Sequence, residues 1–361
     1  MGIIRLLLAI AVIIAHTNPI LGLSFTGGAT AVKAFYIISG FYMALILNEK
    51  YIGAGSYKIF LANRFLRIFP IYWTLLILTI VISIGISYGS SGKELGFFMP
   101  YEKYSASLSI GSYLFLIFVN LFVVFQDFVV FLGLNLDSGD FFFTSNFWNT
   151  NPQLWLFLLV PQAWTISLEL IFYTIAPFIV RRKIGIIILL ILASIGLRIL
   201  LAYNGLKDDP WSYRFFPTEL AFFLLGSISY RLYKRILRYK VDKRILGFVY
   251  VFVIGFYLLY SILTFPFKSY IFLTSFFIAI PFVFYLTKSW KIDSALGELS
   301  YPIYISHFLI IRLLESNTLV KGNSAIVTLL ISLILSLALN YFVARRFERI
   351  RLVKAARIPI Q

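Results

Sequence analysis

The chain carries ten apolar segments in succession, and this pattern constrains its fold more than any other feature. They lie at residues 3–23, 29–47, 68–88, 163–180, 184–202, 217–232, 245–264, 269–287, 298–315 and 324–344. A helix crosses a bilayer with about 20 apolar residues, and no polar stretch is long enough to fold as a soluble domain. The composition agrees, because 60% of the residues are hydrophobic and 13% are charged. We predict an all-α, polytopic transmembrane helix bundle that forms one integral membrane domain over residues 1–361.

Lysine and arginine residues are concentrated in short clusters between the apolar segments. The clusters occupy the loop 48–67, residues 181–183 and 231–244, and the basic tail 345–361. Positive charge in this arrangement is typical of cytoplasmic loops. The net charge of +17 therefore does not indicate a nucleic-acid partner. The clusters predict about ten spans, with both termini in the cytoplasm.

One further apolar run, at residues 110–132, does not fit a single crossing. The basic clusters on either side of it are both predicted to be cytoplasmic, and the two flanking spans already leave and re-enter that side. The run also contains Gln126 and Asp127, which are costly in lipid. We expect this segment to be re-entrant, interfacial or a tight double pass.

The first apolar segment contains two ionisable residues, Arg5 and His16. On a helix, eleven residues at about 100° each return to nearly the same face, with a rise of roughly 16 Å. An ionisable group inside a span is a functional candidate, and a neutral imidazole can take a proton from a hydroxyl. We expect Arg5 at the cytoplasmic end, as a lipid anchor or a ligand-binding group. We expect His16 well inside the span or near its outer boundary.

The second apolar segment carries hydroxyl groups and small residues. In the stretch TGGATAVKAFYIISGFYM, Tyr36 and Ser39 place hydroxyls within the span. Gly27 and Gly28 favour a tight turn before the helix. Gly40 permits the close approach of another helix.

Two arginines precede the third apolar segment. In FLANRFLRIFPIYW, Arg64 and Arg67 lie three residues apart and share a helix face. Guanidinium groups at the cytoplasmic mouth of a span are suited to phosphate, although positive-inside charge alone also explains them. Pro70 is expected to kink the third span or to begin it.

Two later stretches supply an intramembrane acid and the second histidine. WTISLELIFY places Glu169 in a span, where a carboxylate is costly unless it is paired. Glu169 is suited to orient a histidine, to hold a substrate hydroxyl or to form a structural ion pair. GELSYPIYISHFLIIRLLE contains His307, for which structural and catalytic roles are equally open. With no cysteine and two histidines, we expect neither disulfides nor a metal site.

Together these stretches resemble the acyltransferase-3 family of integral membrane acyltransferases, which includes O-antigen, exopolysaccharide and peptidoglycan O-acetyltransferases. The similarity covers essentially the whole chain. It rests on the R-x10-H spacing of Arg5 and His16, FYIISGF at 35–41, RFLRIFPIY at 64–72, WTISLELIFY at 164–173 and LSYPIYISH at 299–307. The chain has Lys33 where many members carry an acid. It resembles the stand-alone form that lacks a C-terminal extracytoplasmic hydrolase-like domain.

The resemblance implies an O-acyltransferase of the bacterial inner membrane that uses cytoplasmic acetyl-CoA and no metal. The implied acceptor is a sugar hydroxyl of a surface polysaccharide, such as the O-antigen of lipopolysaccharide, or of a lipid-linked precursor. The implied partners are these two substrates and membrane lipids, without nucleic acid. The implied catalytic residues are His16 and Glu169, the donor-binding residues are Arg5, Arg64 and Arg67, and the supporting residues are Tyr36, Ser39, Tyr173 and His307.

Three other functions remain open on the sequence alone. A transporter or flippase for a modified glycan or a small solute would use the intramembrane polar residues as a permeation path. A structural partner in a glycan assembly complex would tolerate loss of His16. The unrelated membrane-bound O-acyltransferase family is less consistent, because its usual pairing of a deep histidine with asparagine or aspartate is not evident here.

Overall fold

The computed structural model describes residues 1–90, 96–239, 241–315 and 324–356, and these residues are mostly helical. The helices are α1 (Gly2–Ala15), α2 (Gly27–Glu49), α3 (Ser56–Gly89), α4 (Met99–Tyr104), α5 (Ile110–Phe122), α6 (Trp164–Ile179), α7 (Ile184–Tyr203), α8 (Phe216–Ile236), α9 (Lys243–Leu259), α10 (Lys268–Thr287), α11 (Lys291–Glu315), α12 (Ser324–Leu339) and α13 (Arg345–Ala356). A short antiparallel hairpin pairs β1 (Leu132–Leu134) with β2 (Phe141–Phe143). A π-helical turn, Asn340–Ala344, joins α12 to α13.

Each of the ten predicted apolar segments coincides with one helix, which confirms the predicted all-α class. In the part of the chain that the structure describes, six helical segments are long and apolar enough to cross a bilayer: Gly27–Glu49, Ser56–Gly89, Pro161–Ile179, Ile184–Tyr203, Lys268–Thr287 and Ser324–Arg351. These long apolar helices are typical of an integral membrane protein. The number of ten crossings and the cytoplasmic position of both termini stay predictions.

Two helix boundaries differ from those predicted. The first segment was expected to be helical to about residue 23, but α1 ends at Ala15, and the turn that follows includes Leu21 and Gly22 at positive φ. The third helix was expected to start near residue 68, but α3 begins at Ser56 and continues through Pro70. Pro70 therefore does not begin the helix. Much of the predicted cytoplasmic loop 48–67 is instead the first part of α3.

The segment 110–132 contains one short helix and not two. The 13 residues of α5 rise only about 20 Å, which is less than the hydrocarbon thickness of a bilayer. Val123 then adopts a left-handed conformation with φ 66° and caps the helix. A tight double pass would need two helices, and the structure shows one in this segment. A re-entrant or interfacial position of this segment stays a prediction.

The chain divides into two compact units. The first comprises Met1–Arg67, Phe172–Ser194 and Leu220–Gln361, and the second comprises Ile68–Ile171 and Ile195–Glu219. The prediction that residues 1–361 act as one domain, with a basic tail at 345–361, stays a prediction.

In the first unit, α1 packs against α2, α11 and α12, and α10 packs against α2 and α9. Small residues permit the closest of these approaches. A Cβ atom at Gly40 would lie 1.8 Å from the carbonyl oxygen of Phe223, and one at Gly226 would lie 2.0 Å from that of Ile37. The expected close approach at Gly40 is therefore confirmed, and the neighbouring helix is α8.

The second unit has buried polar side chains beside its apolar core. Asn120 donates to the carbonyl oxygen of Phe157 at 3.0 Å and accepts from the backbone N–H of Leu159 at 2.7 Å. The hydroxyl of Ser167 donates to the carboxylate of Asp127 at 2.5 Å, and both residues are buried. The polar groups that made the segment 110–132 unsuited to lipid are thus hydrogen-bonded inside the protein.

Candidate active site

The two histidines of the chain lie next to each other in the first unit. Their ring centroids are 5.4 Å apart and the ring planes are tilted by 31°. His16 is the residue that caps α1 at its C-terminus, and His307 lies on α11. Of the two positions that the sequence left open for His16, the structure favours the end of the helix, where the side chain is exposed.

His307 differs from His16 in its surroundings. Its side chain is fully buried, and its Nδ1 is hydrogen-bonded to the carbonyl oxygen of Tyr304. A carbonyl oxygen only accepts, so Nδ1 carries the proton and Nε2 is left as an acceptor. Nε2 is buried and has no hydrogen-bond partner in the described structure. Phe308 closes one side of the pair, with its ring edge-on to His16 at 6.3 Å.

The histidine pair is brought together by the parallel packing of α1 and α11. At the opposite end of α1, the backbone N–H groups of Gly2 and Ile3 donate to the carboxylate of Asp293 at 2.7 and 2.9 Å. A Cβ at Gly2 would lie 1.5 Å from the carbonyl oxygen of Asp293. Fixing the first turn of α1 against the first turn of α11 sets the register of the two helices. That register places the end of α1 beside His307.

Arginines gather near that first turn. A Cβ at Gly297 of α11 would lie 3.6 Å from Nη1 of Arg5. The charges of Arg5 and Arg67 both act on the hydroxyl of Tyr42. Arg67 and Arg351 in turn act electrostatically on Arg64. The structure therefore groups the three arginines predicted to bind the donor, and it adds Arg351 to them.

The members of this arginine cluster, Arg5, Arg64, Arg67 and Arg351, differ in exposure. Arg67 is exposed, whereas Arg64 is buried, with its Nε lacking a hydrogen-bond partner in the described structure. The sequence had predicted that these two would lie together at an open mouth. Arg351 forms an ion pair with Glu348 at 2.6 Å. Like charges at this density repel each other, and a bound anion relieves that repulsion.

The predicted supporting residues lie in the first unit, and one of them, Tyr173, interacts with the arginine cluster. Tyr173 acts electrostatically on Arg64, and its ring lies 6.4 Å from that of Phe60. Tyr36 is buried and stacks on Phe223 at 4.5 Å, so its contacts are those of a packed core residue. The hydroxyl of Ser39 is also buried and has no hydrogen-bond partner among the residues described.

Glu169 lies on α6 in the second unit, outside the pair formed by the two histidines. Its side chain is half-buried. The residue two positions earlier, Ser167, is the one that contacts the buried Asp127. The predicted catalytic role of Glu169 stays a prediction. Within the described ranges, no group of three histidine, aspartate or glutamate side chains is placed to hold a metal ion.

Sequence reasoning did not assign Arg351 or Tyr42 to the site. Arg351 was counted only as one charge of the basic tail, because nothing in the tail distinguishes it from its neighbours. Tyr42 follows the FYIISGF stretch directly, at the inner end of α2. Neither residue has a motif that would have found it without the helix packing.

Comparison with known protein families gives a match over most of the chain. The family model described as an acyltransferase domain, of the acyltransferase-3 type, matches residues 1–345. The chain belongs to this family. An uncharacterized protein of Aquifex aeolicus (strain VF5) is 26% identical to the acyltransferase over 209 residues, which are 55% of this chain and 90% of that protein. No solved structure matches the chain.

Proposed function

We propose that this membrane acyltransferase moves an acetyl group from cytoplasmic acetyl-CoA to a hydroxyl of an extracytoplasmic or lipid-linked glycan. One observation carries the proposal: α1 has the arginine cluster at its first turn and the histidine pair at its last residue. Between Arg5 and His16 the helix rises roughly 16 Å. A donor with phosphates at one end and a thioester at the other fits such a separation.

The arginine cluster is the proposed site for the donor phosphates. Guanidinium groups bind phosphate through bidentate, charge-assisted hydrogen bonds. The basic clusters and the positive-inside rule support a cytoplasmic position for this end of α1. Coenzyme A is found on that side, and the pantetheine arm would extend along α1 toward His16. The family resemblance supports the inner membrane of a bacterium as the location.

His16 is the proposed general base. It takes the proton of the acceptor hydroxyl, the hydroxyl oxygen attacks the thioester carbonyl carbon, and the carbon–sulfur bond breaks. The proton on His16 is then transferred to the leaving thiolate, so that the products are the acetyl ester and free coenzyme A. The carbonyl end of α1 favours the positive charge that His16 gains. The alternative route passes through a covalent acetyl-histidine and gives the same two products.

The exposed aromatic residues of the second unit, which include Phe143 and Trp148, support a glycan as acceptor. Aromatic faces pack against the apolar faces of sugar rings, although an interfacial aromatic belt has the same composition. A specific class such as the O-antigen of lipopolysaccharide is part of the proposal through the family resemblance. Glu169 remains the candidate for a second catalytic residue, and Glu169→Gln is its test.

The decisive experiment compares surface glycans by proton NMR in a deletion strain complemented with wild type or with His16→Ala. At matched membrane amounts, wild type is expected to restore the O-acetyl signals and His16→Ala is not. Unchanged acetylation in the deletion strain contradicts acetyl transfer as the function. Full rescue by His16→Ala contradicts the mechanism. A transporter would move an intact solute without consuming acetyl-CoA. Release of free coenzyme A thiol by purified membranes is therefore expected of the acyltransferase and not of a transporter.

A further inference from the structure

We propose that His307 is a positioning residue for His16: its Nε2 accepts the N–H of the His16 nitrogen that does not face the acceptor, and this bond strengthens once His16 has taken the acceptor's proton. The inference rests on the proposed function and deepens it. It assigns His16 the proton transfer and gives His307 the stabilisation of the resulting imidazolium. The two residues then act as a unit, joined across two helices that are far apart in the sequence.

The tautomer of His307 is fixed by its own helix. Because Nδ1 donates to the carbonyl oxygen of Tyr304, the neutral ring cannot move its proton from Nδ1 to Nε2 without breaking that bond, so Nε2 keeps its lone pair. A buried acceptor without a partner costs about 1–3 kcal/mol. Nε2 of His307 is such an acceptor in the described structure. The N–H of an approaching His16 ring offsets this cost, and does so most strongly while that ring is positively charged during the reaction.

His16 is the group placed to supply that donor. Its ring centroid lies 5.4 Å from that of His307, and its side chain is exposed and follows the last turn of α1. Rotation of this exposed ring is the motion that brings one of its nitrogens toward Nε2 of His307. His16 is also the titratable residue whose charge acts on His307. Other groups near the pair are the Tyr304 ring, 5.8 Å from His307, and Arg312, which lies over the Phe308 ring.

The proposed step moves one proton and leaves the pair neutral at its end. The hydroxyl proton passes to the His16 nitrogen that faces the acceptor. The opposite nitrogen of the imidazolium donates to Nε2 of His307, and that proton stays on His16. When the thiolate leaves, it accepts the transferred proton from His16. His307 therefore never changes its protonation state, which suits a fully buried ring.

Two amide substitutions separate this role from a purely structural one. In His307→Asn, the amide N–H replaces Nδ1–H and can donate to the Tyr304 carbonyl, but no acceptor remains at the position of Nε2. In His307→Gln, the longer side chain places an amide oxygen near that position. Both variants are purified in detergent, and only samples whose unfolding temperature matches that of wild type are compared.

We expect His307→Asn to lower kcat by roughly 100-fold, the lower range for a general acid–base contribution, with the KM for acetyl-CoA unchanged. The rising limb of its pH–rate profile moves to lower pH, because the imidazolium of His16 has lost an acceptor. His307→Gln is expected to recover at least a tenth of the wild-type kcat and the wild-type profile. Equal activity of both folded variants, whether both are active or both inactive, overturns the proposal.

A second measurement does not depend on turnover. Diethyl pyrocarbonate acylates neutral imidazole, and the chain has two histidines, of which His307 is fully buried. Mass spectrometry therefore follows the modification of His16 as a function of pH. The midpoint is expected at lower pH in His307→Asn than in wild type, and His307→Gln is expected to restore it. An unchanged midpoint in the Asn variant overturns the pairing even if acetyl-CoA proves not to be the donor.

Discussion

The contact between α2 and α8 makes a quantitative prediction about Gly40→Ala. The new Cβ would lie 1.8 Å from the carbonyl oxygen of Phe223, whereas ordinary contacts begin at 3.4 Å, so the two backbones must separate by about 1.6 Å. The obstructing atom is in the backbone and cannot rotate away. Overpacking of a closely packed interior typically costs 1–3 kcal/mol. A backbone clash of this depth belongs at the upper end, about 3 kcal/mol.

Gly247→Ala is the matched control. It is the same substitution in the interior of α9, in the same unit, and a Cβ at Gly247 meets nothing within 4 Å. The gain in helix propensity of up to about 1 kcal/mol is common to both variants and cancels in their difference. Equilibrium unfolding in mixed micelles of mild detergent and dodecyl sulfate measures that difference. We expect Gly40→Ala to be less stable than Gly247→Ala by about 3 kcal/mol, and equal stabilities would refute the close approach of α2 and α8.

Two further predictions concern buried charge and the donor site. Arg198 contacts the fully buried Glu219 at 2.6 Å, so Arg198→Met is expected to destabilise the protein by about 3–5 kcal/mol in the same unfolding assay. The double variant Arg198→Met with Glu219→Leu is expected to recover most of this loss, because no buried charge is then left without its partner. Additive losses from the two substitutions would contradict this prediction. Arg351→Gln is expected to raise the KM for acetyl-CoA about tenfold with little change in kcat, because a charge-assisted contact is worth about 1.5–3 kcal/mol. The exposed Arg349 on the same helix provides the control, and an equal effect of Arg349→Gln would show that general charge is responsible.

The sequence predicted the helices because an apolar segment in a bilayer can satisfy its backbone hydrogen bonds within itself only as a helix. All ten segments are helical, as Ile184–Tyr203 and Lys268–Thr287 illustrate most closely. The sequence was less successful at boundaries. An apolar run continues past Ala15, where α1 ends, because hydropathy does not distinguish a helix from an apolar turn. It also left open whether Pro70 begins α3 or lies within it, since a proline signals a break without showing whether the packing tolerates it.

The candidate site shows the same division. The spacing of Arg5 and His16 was enough to predict two ionisable groups on one helix face, but the sequence left His16 either well inside the span or near its outer boundary. The partners of these groups came only from the tertiary structure: α11 packs against α1 and brings His307 beside His16, and Arg351 of α13 acts electrostatically on Arg64. In lipid, apolar periodicity does not select one neighbouring helix over another, and close packing at small residues decides instead. The sequence by itself determined the helices and singled out His16; the contact of α1 with α11, made through Gly2 and the carboxylate of Asp293, decided that His307 lies beside it.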